Sequence, residues 1–172
     1  MTKSTTHLNS VDISKVAELA EKIKQEPEAA NTKWSAKVQW KEGFHSETQI
    51  REFSPTPCDE PDALGGSDHG PNPAELLLGA LGNCLAIGYA ANATAAGIEI
   101  RDMKINVDGD LDLHTFMGLR DGHAGFDNIS VEVALDSDAS PEQLDALHEK
   151  VRTTSPIGHT VNNAIPLTIT SV

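Results

Sequence analysis

The residues of this chain best suited to chemistry are its two cysteines, Cys58 and Cys84. A cysteine thiolate can act as a nucleophile, a redox centre or a metal ligand. Two cysteines are too few for a disulfide framework, and neither belongs to a CxxC pair or to a Cys/His cluster with metal-ligand spacing. The seven histidines include no HxH or HxxxH pair. The sequence therefore predicts free thiols in a reducing compartment, with no metal and no cofactor.

Cys84 lies in a long uncharged segment, residues 76–98, whose start carries a helix-capping signal. Asn72 is predicted as the N-cap, Pro73 as the first helical residue and Glu75 as the reciprocal cap. Gly97 is expected to end the helix. Most other residues along it are glycine, alanine or leucine. The segment is thus predicted to be a thin helix that can approach another backbone closely.

The same segment is long enough to cross a bilayer. Asn83 and Asn92 lie within it, no Lys or Arg flanks it, and the mean hydropathy of the chain is -0.31. These features favour a buried core helix over a membrane span.

The elements before this helix are predicted from periodicity and turn residues. Residues 12–25 have the pattern of an amphipathic helix that ends at Pro27. Residues 33–53 alternate as two strands with a turn at residues 41–43. The Pro/Gly/Asp-rich stretch 54–73 is predicted to be a long loop with Cys58 exposed in it.

The elements after the helix complete an α+β order. Two antiparallel strands are predicted, one within residues 98–113 and one around residues 129–135, joined by a polar loop. Ser140 is the predicted N-cap of a second main helix, and Ser155 begins a further helical turn. Residues 167–172 are predicted to form a closing strand. His159 follows Ser155 by one helical turn, so the pair could form a nucleophile with its base. Serine and histidine occur at this spacing far more often by chance.

Size and charge exclude several functional classes. A chain of 172 residues suits one domain. Its net charge of -13 repels nucleic acid and anionic membrane surfaces, so neither is expected as a partner. The N-terminal stretch has no apolar core typical of a signal peptide. The expected location is the cytoplasm.

Three stretches together resemble the OsmC/Ohr superfamily: DEPDALGG from Asp59, GPNPAELLLGALGNCLA from Gly70 and SPIGHTV from Ser155. The likeness begins near residue 33, which predicts an N-terminal helical extension at 1–30 and an OsmC-like domain at 31–172. The resemblance implies two sheets wrapped around long central helices in an intertwined homodimer, with the active sites at the subunit interface.

The resemblance also implies roles for particular residues. In the peroxidase members, a helical cysteine attacks a hydroperoxide, an arginine and a glutamate hold it as thiolate, and a second cysteine resolves the product. Cys84 matches the attacking cysteine, and Arg51, the first arginine of the chain, is the candidate arginine. The glutamate position holds Ala74, and Glu75 is displaced by about 100° around the helix. The second cysteine is replaced by Ser155, which cannot form a disulfide.

Three hypotheses follow for the function. The first is a thiol-dependent organic hydroperoxide reductase of oxidative or osmotic stress defence, in which an external thiol resolves the oxidised Cys84. The second is a non-catalytic dimer that binds a small apolar ligand. The third is a structural dimer without pocket chemistry. Cys58 could serve as an internal resolving thiol only if the two sulfurs met in bonding geometry.

Overall fold

The computed structural model describes residues 5–171. Its contacts divide the chain into two units. One unit contains residues 17–79, and the other contains the described residues before 17 and after 79. The predicted division into a helical extension at 1–30 and a domain at 31–172 stays a prediction.

The first helix and the hairpin form where the sequence predicts them. Helix α1 covers Ile13–Gln25, and none of its residues is buried. Strands β1 (Lys37–Glu42) and β2 (His45–Gln49) pair antiparallel. Gly43 occupies their turn with a φ of 53°, a left-handed conformation that glycine adopts without strain.

The region predicted as one long loop contains a third strand. β3 (Thr56–Cys58) pairs antiparallel with β2, so Cys58 is buried at 7% exposure, and the prediction of an exposed loop cysteine was wrong. The strand was missed because it has three residues and contains Pro57, which edge strands tolerate. β3 lies at the edge of the sheet ordered β1-β2-β3.

The loop after β3 folds around the buried carboxylate of Asp59. That carboxylate accepts hydrogen bonds from the backbone N–H groups of Glu60, Ser67 and His69 and contacts His69 Nδ1 at 3.0 Å. Gly66 is required at its position, because an added Cβ would lie 1.8 Å from the carbonyl oxygen of Glu60. A short 3-10 helix, Asp62–Leu64, completes the loop.

The central helix α2 covers Pro73–Ala95, and Gly97 follows it with a φ of 73°. The predicted reciprocal cap is present: Glu75 N–H donates to Asn72 Oδ1 at 2.9 Å, and Asn72 N–H donates to Glu75 Oε2 at 2.8 Å. The small residues that make α2 thin also allow close packing at Gly88. A Cβ added at Gly88 would lie 3.2 Å from a methyl group of Val151.

The second sheet consists of β4 (Ile100–Leu111) and β5 (Phe126–Ser137), which pair antiparallel as predicted. The connection predicted as a plain loop also contains a short helix, α3 (Leu113–Phe116), capped by Asp112. Helix α4 covers Pro141–Thr154 with the predicted capping box at Ser140. Helix α5 covers Pro156–Asn162.

A small core joins α2, α4 and β4. Its buried members come from the second half of α2, the segment just before β4 and one face of α4: Tyr89, Ala93, Ile98, Leu147 and Val151. The segment before α1 attaches here through Asn9. Its amide donates to Thr94 Oγ1 and the Ile98 carbonyl oxygen and accepts from the Ile100 N–H.

The prediction of a closing strand was wrong for residues 167–171, which belong to no helix or strand, and Val172 lies outside the described residues. Ile165, Leu167 and Ile169 are exposed, at 60%, 85% and 87%. The alternation that predicted a strand is real, but a strand also needs a neighbour, and no described strand pairs with this segment.

Among the described residues, α2 is the one helix long and apolar enough to span a membrane by length and composition. It contributes Leu81, Tyr89, Ala93 and Thr94 to the buried interior. Ile87 is 71% exposed within the single chain, so the expected full burial of α2 requires cover from outside it.

Candidate functional site

The structure brings together Cys84 and Ser155, two residues singled out in the sequence. Cys84 Sγ lies 3.3 Å from Ser155 Oγ, and the cysteine is partly buried. Cys84 is held on α2, while Ser155 lies at the junction of α4 and α5. The thiol therefore faces the position where the resemblance implied a second cysteine.

The surroundings of Ser155 fix its hydroxyl. The residue is 5% exposed and forms both the C-cap of α4 and the N-cap of α5. Its Oγ accepts a hydrogen bond from the Gly158 N–H at 3.0 Å. A serine hydroxyl has one proton to donate and two lone pairs. The proton and the remaining lone pair are thus available to Cys84, so the contact can be made with either a thiol or a thiolate.

A cleft of about 910 Å³ lies beside this pair, between α2, β5, α4 and α5. Ser155 lines it. Its apolar wall is formed by side chains of α2 and β5: Leu81, Leu85, Phe126, Ile129, Val131 and Val133. A volume of this size is typical of small-molecule sites. Cys84 is not among the lining residues, so the cleft provides space for a ligand next to Ser155, the residue that Cys84 contacts.

Two polar residues of the cleft, Tyr89 and His148, were not predicted as functional from the sequence. Tyr89 Oη lies 2.8 Å from His148 Nδ1, and the rings meet edge to face with centroids 5.4 Å apart. Burial raises the pKa of the Tyr89 hydroxyl. His148 lies in the apolar stripe of α4, so only its contact with a tyrosine on another helix distinguishes it from a packing residue.

Arg51 lies in the unit of residues 17–79, in the turn after β2. It has a φ of 48°, and its guanidinium carbon lies 4.6 Å from the centre of the Phe53 ring. This distance is within the range of a cation–π contact, so the guanidinium of Arg51 has a local partner in Phe53. The pairing of Arg51 with Cys84 stays a prediction.

The other predicted candidates have local partners. The Glu75 carboxylate accepts from the Asn72 backbone, as expected for a capping residue. His159 Nε2 lies 3.0 Å from the carbonyl oxygen of Thr153, so its ring is engaged there and forms no hydrogen bond with Ser155 Oγ. Cys58 is a buried member of β3.

Within residues 5–171, no cluster of three or more His, Cys, Asp or Glu residues could hold a metal ion.

Comparison with known proteins identifies the class to which this fold and site belong. The family model described as OsmC-like protein matches residues 65–170, more than half of the chain. The chain therefore belongs to the OsmC-like family, and the resemblance seen in the sequence is confirmed. A search of curated proteins found no match.

Solved structures support the same fold. An OsmC-like protein from Mycoplasma pneumoniae superposes with a TM-score of 0.67 at 20% identity, over 77% of this chain and 89% of that one. An organic hydroperoxide resistance protein OsmC from Legionella pneumophila gives 0.56 at 15%, over 76% and 91%. A protein from Vibrio cholerae described as an organic hydroperoxide resistance protein, with captopril bound in one active site, gives 0.57 at 17%, over 77% and 87%. The α+β OsmC-like fold is confirmed.

Proposed function

We propose that this protein is a thiol-dependent reductase of organic hydroperoxides that uses the single reactive cysteine Cys84. The observation that carries the proposal is the 3.3 Å contact between Cys84 Sγ and Ser155 Oγ beside a cleft large enough for a small substrate. Structural relatives described as organic hydroperoxide resistance proteins support the reaction class. A role in oxidative or osmotic stress defence in the cytoplasm is part of the proposal.

The proposed reaction begins with attack of the Cys84 thiolate on the terminal oxygen of the hydroperoxide. The S–O bond forms as the O–O bond breaks, and the leaving alkoxide takes a proton to become an alcohol. Cys84 is thereby oxidised to a sulfenic acid. One external thiol then condenses with the sulfenic acid to give a mixed disulfide and water, and a second external thiol releases reduced Cys84 with formation of an external disulfide.

The proposed role of Ser155 differs from that of the cysteine that the resemblance implies at this position. Its hydroxyl can donate a hydrogen bond to the thiolate, because Gly158 N–H uses only one of its lone pairs. It cannot form a disulfide, so the sulfenic acid must wait for an external thiol. Arg51 is proposed to stabilise the thiolate and the developing alkoxide, and Glu75 to fix the start of α2.

The active form is proposed to be a homodimer. In the single chain, Ile87 on α2 is 71% exposed, and Trp34, Val38 and Trp40 in and before β1 are 83%, 67% and 69% exposed. Large apolar surfaces of this kind mark interaction sites. Family members are commonly dimeric, which supports a second copy of the chain as the partner.

A second candidate function is ligand binding without turnover. The cleft beside Ser155 favours it, because such a site can hold an apolar molecule whether or not Cys84 reacts. The captopril molecule in the Vibrio cholerae relative shows that an active site in that protein accepts a small organic ligand.

Steady-state consumption of cumene hydroperoxide distinguishes the two functions. With dithiothreitol as the reductant, the wild-type protein is expected to consume the hydroperoxide catalytically. Cys84→Ser should abolish that consumption, because the attacking sulfur is lost. Cys58→Ser is the matched control and should retain the rate, since Cys58 is buried in β3.

The outcome that would overturn the reductase proposal is equal consumption by wild-type protein and by Cys84→Ser. In that case, retained binding of small apolar molecules in the cleft would support the second function. Circular dichroism of both variants checks that each substitution leaves the fold intact.

A further inference from the structure

His148 lines the cleft, and its contact with Tyr89 favours the tautomer in which Nε2 of His148 is a hydrogen-bond donor. Tyr89 is 5% exposed, and a buried hydroxyl must donate its proton to an acceptor. The acceptor that the structure provides is His148 Nδ1, at 2.8 Å. A neutral histidine whose Nδ1 accepts carries its proton on Nε2. No described residue accepts a hydrogen bond from Nε2, so this donor remains available to a ligand.

The charges of the cleft disfavour an anionic ligand. Three carboxylates line it, Asp127, Asp145 and Glu149, against one arginine, Arg152. Arg152 already binds Glu149 through two hydrogen bonds of 2.9 and 2.7 Å. Asp127 and Asp145 form no ion pair within the described part of the chain. Their uncompensated negative charge repels carboxylates, phosphates and sulfates.

The position of His148 sets the length of the ligand. Ser155, which contacts Cys84, follows His148 by two turns along α4, a separation of about 10 Å at 1.5 Å per residue. Between these ends, apolar side chains of α2 and β5 line part of the cleft, with Leu85 and Val131 among them. A ligand that spans the cleft can pack an apolar body against these side chains and place a polar group beside His148.

We propose that the cleft binds an uncharged molecule with an apolar body of about 10 Å, whose carbonyl oxygen accepts a hydrogen bond from His148 Nε2. Ketones and esters are the ligand class. His148 is then a specificity-determining residue, and Tyr89 acts through it as a positioning residue. The inference rests on the proposed function and deepens it: the substrate would be a hydroperoxide that also carries such a ketone or ester carbonyl, with the hydroperoxide end directed toward Ser155 and Cys84.

The test uses binding to the full-length Cys84→Ser protein, so that it does not depend on turnover. Three probes of similar length are compared at pH 7 by NMR titration: methyl octanoate, the octanoate anion and nonane. Methyl octanoate is expected to bind about tenfold more tightly than octanoate, because the acidic residues repel the anion. Octanoate binding as tightly as the ester would overturn the proposal.

Variants separate the hydrogen bond from simple packing. His148→Phe should weaken methyl octanoate binding by about threefold to tenfold, as expected for one lost hydrogen bond, while nonane binding is unchanged. His123→Phe is the matched control: it removes a histidine that lies outside the lining of the cleft, and it should leave ester binding unchanged. Equal loss for the ester and for nonane in His148→Phe would contradict a donor role.

The tautomer of His148 gives a readout that needs no variant. Nitrogen-15 NMR of the wild-type protein should show the proton of neutral His148 on Nε2, and Tyr89→Phe should weaken this preference. A proton on Nδ1 in the wild-type protein would overturn the proposal. Ester binding without catalytic consumption of hydroperoxide would leave this inference standing while the reductase proposal failed.

Discussion

Cys84 Sγ and Ser155 Oγ lie 3.3 Å apart, although 71 positions separate the two residues in the chain. A disulfide requires sulfurs about 2.0 Å apart, so a sulfur in place of the Ser155 oxygen would need to move by little more than about 1 Å. We therefore predict that Ser155→Cys forms an intramolecular disulfide with Cys84 under mild oxidation. Thiol titration and peptide mapping of the oxidised variant measure it.

The control for this variant is a serine cap remote from the thiol. Ser155 also caps α5, so its replacement is expected to cost about 1 kcal/mol of stability through the cap alone. Ser140→Cys removes a comparable cap on α4. It should lower stability similarly without pairing to Cys84. A Ser155→Cys protein with two free thiols at residues 84 and 155 after oxidation would show that the side chains do not meet as the structure places them.

The Asn9 attachment predicts that the N-terminal segment contributes to stability. Asn9→Ala removes three hydrogen bonds to Thr94, Ile98 and Ile100 and should lower the free energy of unfolding by about 1–3 kcal/mol. Urea denaturation measures the change. Asn31→Ala, which removes an exposed contact with Glu28, is the control and should have little effect. Equal midpoints for Asn9→Ala and wild-type protein would count against the attachment.

The loop after β3 predicts a pH-dependent contribution from Asp59. Burial acts to raise the pKa of this carboxyl, but hydrogen bonds from the His69 ring and from the backbone N–H groups of His69, Glu60 and Ser67 outweigh it and lower the pKa. The stabilisation is therefore present above the unfolded pKa of 3.8 and is lost as the pH falls through the lower folded value.

Asp59→Asn should accordingly reduce stability at pH 7, and the difference from wild-type protein should shrink as the pH falls below the usual carboxyl range. Thermal unfolding followed between pH 7 and pH 3 measures this trend. Asp138→Asn, at a 92% exposed side chain, controls for the loss of one surface charge. A difference that is the same at every pH would rule out the carboxylate as its origin.

The exposed face of α2 predicts the effect of a charge on assembly. Ile87→Arg should dissociate the proposed homodimer, because a charge buried at an apolar interface is costly. Leu19→Arg on α1, at 53% exposure in wild-type protein, is the matched control and should leave assembly unchanged. Sedimentation equilibrium measures both masses. A dimer that tolerates Ile87→Arg would place its interface elsewhere.

Local signals in the sequence predicted most of the elements. The caps at Asn72 and Ser140 and the alternation in β4 and β5 depend on neighbouring residues, so they can be recognised without the fold. The predictions for β3 and for the terminal segment were wrong because a strand depends on pairing, which the residue pattern of the segment alone does not show. Pro57 obscured a real strand, and residues 167–171 have a strand pattern without a neighbouring strand.

The candidate site was predictable only in part. Cys84 and Ser155 could be named from the family motifs, but their contact and the cleft beside them depend on the packing of α2 against α4 and α5. Tyr89 and His148 lie 59 positions apart and have no shared motif, so their hydrogen bond could not be predicted from spacing. Glu75 was predicted correctly as a cap because its partner is three residues away.

The most direct test of the central claim is to trap the oxidised form of Cys84. Reduced protein is mixed with one equivalent of cumene hydroperoxide in the presence of dimedone, which reacts with sulfenic acids, and the adduct is located by peptide mass spectrometry. If Cys84 is the reacting thiol, we expect one adduct on Cys84 in the wild-type protein and in Cys58→Ser, and none in Cys84→Ser. Hydroperoxide that leaves Cys84 of the folded wild-type protein as a free, unmodified thiol would contradict it.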